Sequence, residues 1–374
     1  MALNTVSSDR LSTNVKNTNF TAAEKQDLTD DIKPLLGSSG GGSKNLIING
    51  AQLVAQRGTS STSDSYQTLD RFAKLESGTD ESVTQSQVDV AAGTTPYTNG
   101  FRKSFRLTNG NQTSGAGAGD NALIRYKVEA QDIANSGWNY VSSSSNITLS
   151  FWIKSSVAQN FYFNFIAPDG TSYNYPMETG ALTADTWTKV TKTIPGNSNL
   201  TFNNDNGVGL QIDWWAFAGT NYTASSVTLN QWATYSSGNR LPDNTSTWWT
   251  TNDATFEITG LQLEVSDHAT SFEFLSFSDE LRRCQRYLFI YGFSEHNSSG
   301  DIEINFIPVD MRALPTVTRL GNVMFGGESS TAVTAIYNNA GFSINNQPGS
   351  NLILRCINSS DANCGGCYSL SAEL

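Results

Sequence analysis

The sequence predicts an all-β fold: an antiparallel jelly-roll β-sandwich, with a short N-terminal helical arm before it and a small C-terminal β-sandwich after it. Apolar and polar residues alternate through many segments of strand length. Turn residues separate these segments, and no convincing helix lies between them. The composition has 31 glycines, 19 phenylalanines and 13 tyrosines but only 15% charged residues, which is typical of a β-rich surface protein.

Length and charge limit the possible functions. At 374 residues the chain exceeds the usual size of a single core, so two or three domains are expected. A net charge of −11 argues against binding to nucleic acid. No apolar run approaches the roughly 20 residues that span a bilayer, so no membrane insertion is expected. Residues 1–4 lack the features of a secretory signal, which favours a virion component released by another route, such as lysis.

Residues 1–44 are predicted to form a separate arm. The tetrad at residues 21–24 has the pattern of a capping box, and it predicts a helix over residues 22–32 that ends before Pro34. Residues 37–43 are glycine and serine, which predicts a flexible linker. The arm is either a disordered tail or a docking segment that folds onto another virion protein or sister chains. A capped helix on a flexible tether suits attachment, so docking is favoured.

The predicted jelly-roll domain covers residues 45–277. Its closing strand covers residues 255–265, in which Gly260 interrupts the alternation once and indicates a bulge. The apolar run at residues 45–53 is expected to lie beside this strand as its partner. The residues expected to point inward from the closing strand are Phe256, Ile258, Leu261, Leu263 and Val265. Further strands are predicted at residues 69–72, 83–90, 101–107, 122–129, 147–154, 161–166, 187–194 and 208–217.

Residues 278–374 are predicted to form the small second sandwich, placed at an exposed tip. Ser278 is expected to cap a short helix in which acids come early and arginines late, as the helix dipole favours. Strands are then predicted at residues 287–293, 302–307, 316–319, 333–337, 341–345 and 352–357. The four cysteines are Cys284, Cys356, Cys364 and Cys367. The spacing of the last two leaves free thiols, a disulfide within the tip and a zinc site all open.

Eight segments form an ordered pattern between residues 45 and 287. They are residues 45–50, 56–58, 69–72, 147–154, 187–190, 258–265, 269–273 and 280–287. Together they resemble the jelly-roll module of tailed-phage fibre and virion structural proteins, which is distantly similar to carbohydrate-binding modules. The resemblance implies a jelly-roll fold, a location on the virion surface and no catalysis, and it implies no particular ligand.

No catalytic or metal site is selected by spacing. Asp213, Glu257 and Glu264 are candidate acids for glycoside hydrolysis, but no pair among them is marked out, so no enzyme activity is predicted. The two histidines of the chain lie in no nucleophile motif. Glu264 or Asp70 could bind a structural calcium ion, but the run of oxygen ligands that would specify such a site is missing. No cofactor is predicted.

A cluster of aromatic residues in the second half of the jelly-roll domain is the candidate ligand site. Indole and phenol rings stack on sugar faces, while neighbouring polar groups bind the hydroxyls. Adjacent tryptophans on a strand face opposite ways, so one of each pair could be core and the other exposed. The alternatives are aromatic packing or a buried contact between subunits. The candidate glycan-binding residues are Trp214, Trp215, Tyr222, Trp232, Trp248 and Trp249, most of them in or beside a long loop at residues 218–252.

These features favour a non-enzymatic virion protein that adheres to the host surface. The leading interpretation is a homotrimeric tail-fibre or appendage subunit attached by residues 1–44, with adhesion strengthened by multivalency. Trimerisation is an analogy to fibres. A capsid decoration or vertex protein with the same modules is the first alternative. A glycan-degrading tailspike is the second, although no β-helix repeat is visible.

Overall fold

The structure is a computed structural model, and it forms two compact units. Residues 1–44 with 270–272 form the first, and residues 45–269 with 273–374 form the second. The arm helix at 22–32 and the linker at 37–43 lie outside the described residues, and the predicted domain boundaries stay predictions. The described residues are 44–297, 302–304, 311–313, 315–321, 324–325, 328–329, 335–338, 352–356 and 362–374.

Twelve strands of the second unit form two six-stranded antiparallel sheets. In chain order they are β1 (Ser60–Ser61), β2 (Phe72–Ser77), β3 (Thr84–Asp89), β4 (Lys103–Thr108), β5 (Asn121–Glu129), β6 (Asn146–Ser155), β7 (Asn160–Ala167), β8 (Tyr173–Ala181), β9 (Thr188–Pro195), β10 (Val208–Ala218), β11 (Ala233–Thr234) and β12 (Thr255–Glu264). Sheet A has the order β1-β3-β4-β12-β6-β9, and sheet B has the order β11-β8-β7-β10-β5-β2.

One hydrophobic core lies between the two sheets. Alternate residues of β6 point into it, as the sequence predicts, and all four are fully buried. The Phe151 ring of sheet A meets two rings of sheet B edge-on, with centroids 5.2 Å from Phe163 and 5.9 Å from Trp214. Burial of each such side chain contributes about 1.5–3 kcal/mol, so this shared core holds the sheets together as a β-sandwich. The inward residues of β6 are Ile147, Leu149, Phe151 and Ile153.

The predicted bulge of the closing strand is present in β12. Gly260 has a φ of 63°, and the pairing of β12 with β6 shifts register between Thr259 and Gln262. A Cβ atom at Gly260 would lie 2.6 Å from the Phe101 ring, so the bulge has room only for glycine. The expectation that Val265 points inward is wrong, because β12 ends at Glu264 and Val265 is 39% exposed.

The apolar run at residues 45–53 lies beside β12 but is not a strand. The Leu46 N–H donates to the Leu263 carbonyl at 2.9 Å, and the Leu261 N–H donates to the Gly50 carbonyl at 3.0 Å. Residues 47–51 form turns, and Asn49 has a φ of 63°. The strand partners of β12 are instead β4 and β6.

Two further strand predictions differ from the structure. Residues 69–71 form a turn, because Arg71 adopts a φ of 74°, and β2 begins at Phe72. The strand β8 was not predicted, since Pro176 and Gly180 interrupt its apolar pattern.

Three α-helices and a 3-10 helix accompany the strands of the described residues. Ser276, not Ser278, caps the longest helix: its hydroxyl accepts a hydrogen bond from the Asp279 N–H at 3.2 Å. Among the described residues, no helix combines the length and apolar character needed to cross a bilayer. The α-helices are α1 (Thr95–Thr98), α2 (Ala130–Ala134) and α3 (Phe277–Gln285), and the 3-10 helix is Thr220–Tyr222.

The chain after α3 forms smaller antiparallel sheets. Their orders are β13-β20-β15, β14-β19-β18 and β16-β17. The predicted strand at 341–345 and the side chains of Cys356, Cys364 and Cys367 lie outside what the structure describes, and Cys284 is a buried free thiol. The strands are β13 (Leu288–Asn297), β14 (Ile302–Ile304), β15 (Thr316–Gly321), β16 (Met324–Phe325), β17 (Glu328–Ser329), β18 (Ala335–Asn338), β19 (Leu352–Cys356) and β20 (Ala362–Ser371).

A buried polar cluster joins the residues after β20 to the sandwich. Arg71 is fully buried, and its Nη1 lies 2.7 Å from the Glu373 carboxylate. The guanidinium carbon lies 3.4 Å from the centre of the Tyr287 ring. Lys127 and Tyr66 both donate to the Leu374 carbonyl oxygen, at 2.8 and 3.0 Å. Charge pairing and cation–π contact therefore fix the last residues of the chain against the sandwich.

The free energy of unfolding should depend on pH through the protonation of Asp70. Burial raises the pKa of Asp70 from 3.8 to about 6, against the opposing effect of hydrogen bonds from Gln56. Between pH 3.8 and about 6, Asp70 keeps its proton more in the folded chain than in the unfolded chain. Its contribution to the free energy of unfolding therefore falls as the pH rises through this range. The unfolding free energy of wild type minus that of Asp70→Asn should drop by about 2 kcal/mol between pH 4 and pH 7. Urea titrations of both proteins measure this difference, and a flat difference would contradict it.

Candidate functional site

The two tryptophans of β10 face opposite sides of sheet B, but neither is exposed. Trp214 points into the core and is 0% exposed. Trp215 points outward and is still only 2% exposed, and its Nε1 donates to the Asn164 side-chain oxygen at 2.7 Å. The expectation that one of the pair is exposed is wrong, because Leu241 of the 218–252 loop packs over Trp215.

Trp248 and Trp249 are also buried, at 0% and 1% exposure. The Trp249 ring packs on Phe217 with centroids 4.7 Å apart, and its Nε1 donates to the Gly115 carbonyl at 3.0 Å. The Asn109 amide donates to the carbonyls of both tryptophans, at 3.1 and 2.8 Å. These contacts place both rings in the core, where they cannot stack on a sugar.

The remaining candidates, Tyr222 and Trp232, are half-buried and belong to different clusters. Tyr222 packs on Trp215 with ring centroids 5.4 Å apart, and its hydroxyl donates to the Gly119 carbonyl at 3.1 Å. Trp232 packs on Tyr175 at 5.0 Å and donates from Nε1 to the Pro195 carbonyl at 2.8 Å. The structure therefore does not assemble the six predicted residues into one surface.

The candidate acids are buried and held by neighbouring side chains. The Asp213 carboxylate accepts two hydrogen bonds of 2.7 Å from Arg125. Glu264 accepts a hydrogen bond of 2.8 Å from the Gln262 amide. Asp70 accepts hydrogen bonds from both the backbone and the side chain of Gln56. Among the described residues, no group of three or more acidic, histidine or cysteine side chains is placed to hold a metal ion.

Glu257 is buried on the outer side of sheet A, between two cations. Arg106 on β4 and Lys154 on β6 both lie 2.9 Å from its carboxylate. The Ser104 hydroxyl donates to the other carboxylate oxygen at 3.1 Å. The side chain is only 2% exposed, so Glu257 acts as a fixed anchor for the cations around it.

A partly exposed aromatic surface lies on the outer side of sheet A, next to Glu257. We call Trp152, Lys154, Trp187 and Lys189 the tryptophan face. Ile153 and Val190 point into the core, so their neighbours along β6 and β9 point outward. Trp152 pairs with Lys189 across the two strands, and the Lys154 Nζ lies 5.1 Å from the centre of the Trp187 ring. Both indoles are half-buried and Lys189 is exposed.

The sequence contained a signal for part of this face. The alternation of residues 147–154 already places Trp152 and Lys154 outward. Trp187 precedes β9 by one residue, and only the pairing of β9 with β6 brings it beside Lys154.

No protein-family model matches the chain, and the search of curated proteins gives no match. Solved structures do match. One is tailspike protein 4 of bacteriophage CBA120, enzymatically active domain, with 9% identity and a TM-score of 0.31 over 60% of this chain and 22% of that one. The chain thus spans about a fifth of that tailspike domain.

Two further matches are carbohydrate-binding proteins. The family 11 carbohydrate-binding module of Lic26A-Cel5E from Clostridium thermocellum matches with 11% identity and a TM-score of 0.25, over 55% of this chain and 95% of the module. The N-terminal cellulose-binding domain of β-1,4-glucanase C from Cellulomonas fimi matches with 10% identity and a TM-score of 0.26, over 57% and 98%.

Proposed function

We propose that this chain is a non-enzymatic, glycan-binding protein of a tailed-phage virion surface. In this proposal a jelly-roll sandwich presents the tryptophan face to polysaccharide on the host. The observation that carries the proposal is the pair of half-buried indoles, Trp152 and Trp187, which lie diagonally from each other across the pairing of β6 with β9, on the outer side of sheet A.

The geometry of this face suits a sugar chain. Adjacent outward residues on paired strands lie about 5–8 Å apart, so the two indoles can contact successive parts of one glycan. Indole rings stack on the apolar faces of sugars, while the ammonium groups beside them are donors for hydroxyls. The β-sheet fixes the backbone on which these side chains stand, which lowers the entropic cost of ordering them on binding.

Attachment and valency complete the proposal. Residues 1–44 dock the chain to another virion protein, and three chains assemble into a fibre or appendage subunit. A single shallow face gives weak binding, and three faces on one particle convert it into tight adhesion. The burial of Asp213 and Glu257, whose side chains are 0% and 2% exposed in their ion pairs, supports a binding function over hydrolysis, because a catalytic carboxylate must reach its substrate.

Trp187→Ala should weaken glycan binding about tenfold, because removing one stacking ring costs about 1.4 kcal/mol of binding free energy. The measurement is binding of the purified chain to an array of bacterial surface polysaccharides, followed by titration of the strongest hit. Trp232→Ala is the matched control, since Trp232 is also half-buried but packs on Tyr175 near sheet B.

Three outcomes would contradict the proposal. If the array shows no binding, the chain is not a glycan-binding protein. Loss of binding in Trp232→Ala, with Trp187→Ala unchanged, would place the site away from the tryptophan face. Release of reducing sugar from a bound polysaccharide would show an enzyme.

A further inference from the structure

We infer that the glycan held by the tryptophan face is acidic, carrying carboxylate or phosphate groups along its chain. This inference rests on the proposed function and names its ligand class. It follows from the distribution of charge on the outer side of sheet A.

The part of the outer side of sheet A around Glu257 is positive in an acidic protein. Arg106, Lys154 and Lys189 lie on three strands of it, and Glu257 is the acid between them. These four residues carry a local charge of about +2, whereas the whole chain carries −11. Glu264, another outward acid of β12, lies opposite Thr148 at the other end of the strand. A ligand that needed only hydroxyl contacts would need amides and hydroxyls and no excess of cations.

The two lysines of the face have different roles. The Lys154 ammonium lies 2.9 Å from Glu257 and over the Trp187 ring, so internal contacts fix it. Lys189 is exposed on β9 and forms no ion pair with any described residue. Its neighbour across the strands is Trp152, so both side chains leave the same side of the sheet from adjacent positions. A sugar stacked on Trp152 would bring an acidic substituent within reach of Lys189.

The edge position of β9 offers another explanation for Lys189. Lysines on edge strands prevent sheets from pairing with other chains. That role requires no ligand, and it predicts that the charge of Lys189 has no influence on glycan binding. The two explanations therefore differ in the effect that removing the charge of Lys189 has on the affinity for glycan.

The experiment compares one polymer in charged and neutral form on the full-length chain. The probes are polygalacturonate, the same polymer after carboxyl reduction, and a phosphodiester-linked polysaccharide, each titrated by calorimetry. We expect the wild type to bind at least one anionic polymer about tenfold more tightly than the reduced polymer. The anionic probe that binds more tightly identifies carboxylate or phosphate as the recognised group. This preference should disappear at about 1 M salt, where the Debye length is about 3 Å.

The variants separate this inference from the proposed function. Lys189→Gln should reduce affinity for the anionic polymer about fivefold and leave the neutral polymer unchanged, whereas Trp187→Ala should weaken both. Lys192→Gln is the control, because Lys192 lies on the same strand opposite the inward Leu149. Equal affinity for charged and neutral polymers, unaltered by Lys189→Gln, overturns the inference and leaves glycan binding standing. Binding to none of the three polymers overturns the inference, and the result of the polysaccharide array then decides whether the proposed function stands.

Discussion

Replacing Glu373 with glutamine is expected to lower the free energy of unfolding by about 3 kcal/mol, because it leaves a buried arginine without its anion. Arg71 is fully buried, and its Nη1 lies 2.7 Å from the Glu373 carboxylate, which is itself only 7% exposed. A second guanidinium nitrogen donates to the Lys127 carbonyl at 2.6 Å, but a carbonyl does not neutralise the charge. Urea denaturation followed by tryptophan fluorescence measures the loss.

The matched control is Asp89→Asn, which removes the acid from the surface pair of Lys103 and Asp89. That pair has a short contact of 2.6 Å, but its side chains are 37% and 81% exposed. Solvent and salt screen such pairs, so this variant should have no measurable effect on stability. Equal and small effects of the two substitutions would show that the Arg71 contact contributes nothing beyond a surface pair.

The Arg71 contact also shows where prediction from the sequence fails. The segment at 69–72 resembles a short strand, because Leu69 and Phe72 are apolar and both are buried. Arg71 instead takes a left-handed turn and pairs with Glu373, 302 positions further along the chain. No local pattern reveals a partner at that separation, and without it burial of an arginine is unfavourable.

Strands were predicted well where apolar and polar residues alternate along the sequence. The alternation in β6 and β4 follows the pleat directly, and the phase break at Gly260 correctly indicated the bulge. The strand β8 escaped prediction because it contains Pro176. That proline is tolerated because β11 pairs with β8 only at Asn174 and Tyr173, so no ladder on that side requires an N–H from Pro176.

The aromatic site was harder to predict than the fold. The sequence shows which residues are aromatic and which way they face, but not what covers them. Trp215 faces outward as expected, yet Asn174 donates to the Arg240 carbonyl at 2.9 Å and helps to hold the 218–252 loop over sheet B. Trp152 has the same outward phase on the other sheet and remains half-exposed. Trp215 and Trp152 differ in exposure because the 218–252 loop packs over Trp215, and this contact is tertiary.

Trp214→Ala should lower the free energy of unfolding by about 3–5 kcal/mol, since it leaves a large cavity in the middle of the core. Trp214 is 0% exposed and meets Phe151 edge-on at 5.9 Å, so the surrounding sheets can collapse only partly. Thermal or urea unfolding of the purified variant measures this loss. Trp187→Ala is the contrast, because a half-buried ring on the outer side of sheet A leaves no internal cavity.

The two substitutions should therefore separate stability from binding. Trp214→Ala weakens the fold, and the fraction that remains folded still presents an intact tryptophan face and binds glycan with unchanged affinity. Trp187→Ala keeps the fold and loses affinity about tenfold. A stable Trp214→Ala protein that fails to bind would mean that glycan binding depends on the packing of the core around Trp214, and not on the outer side of sheet A alone. That result would contradict the division between core and surface on which the proposed site depends.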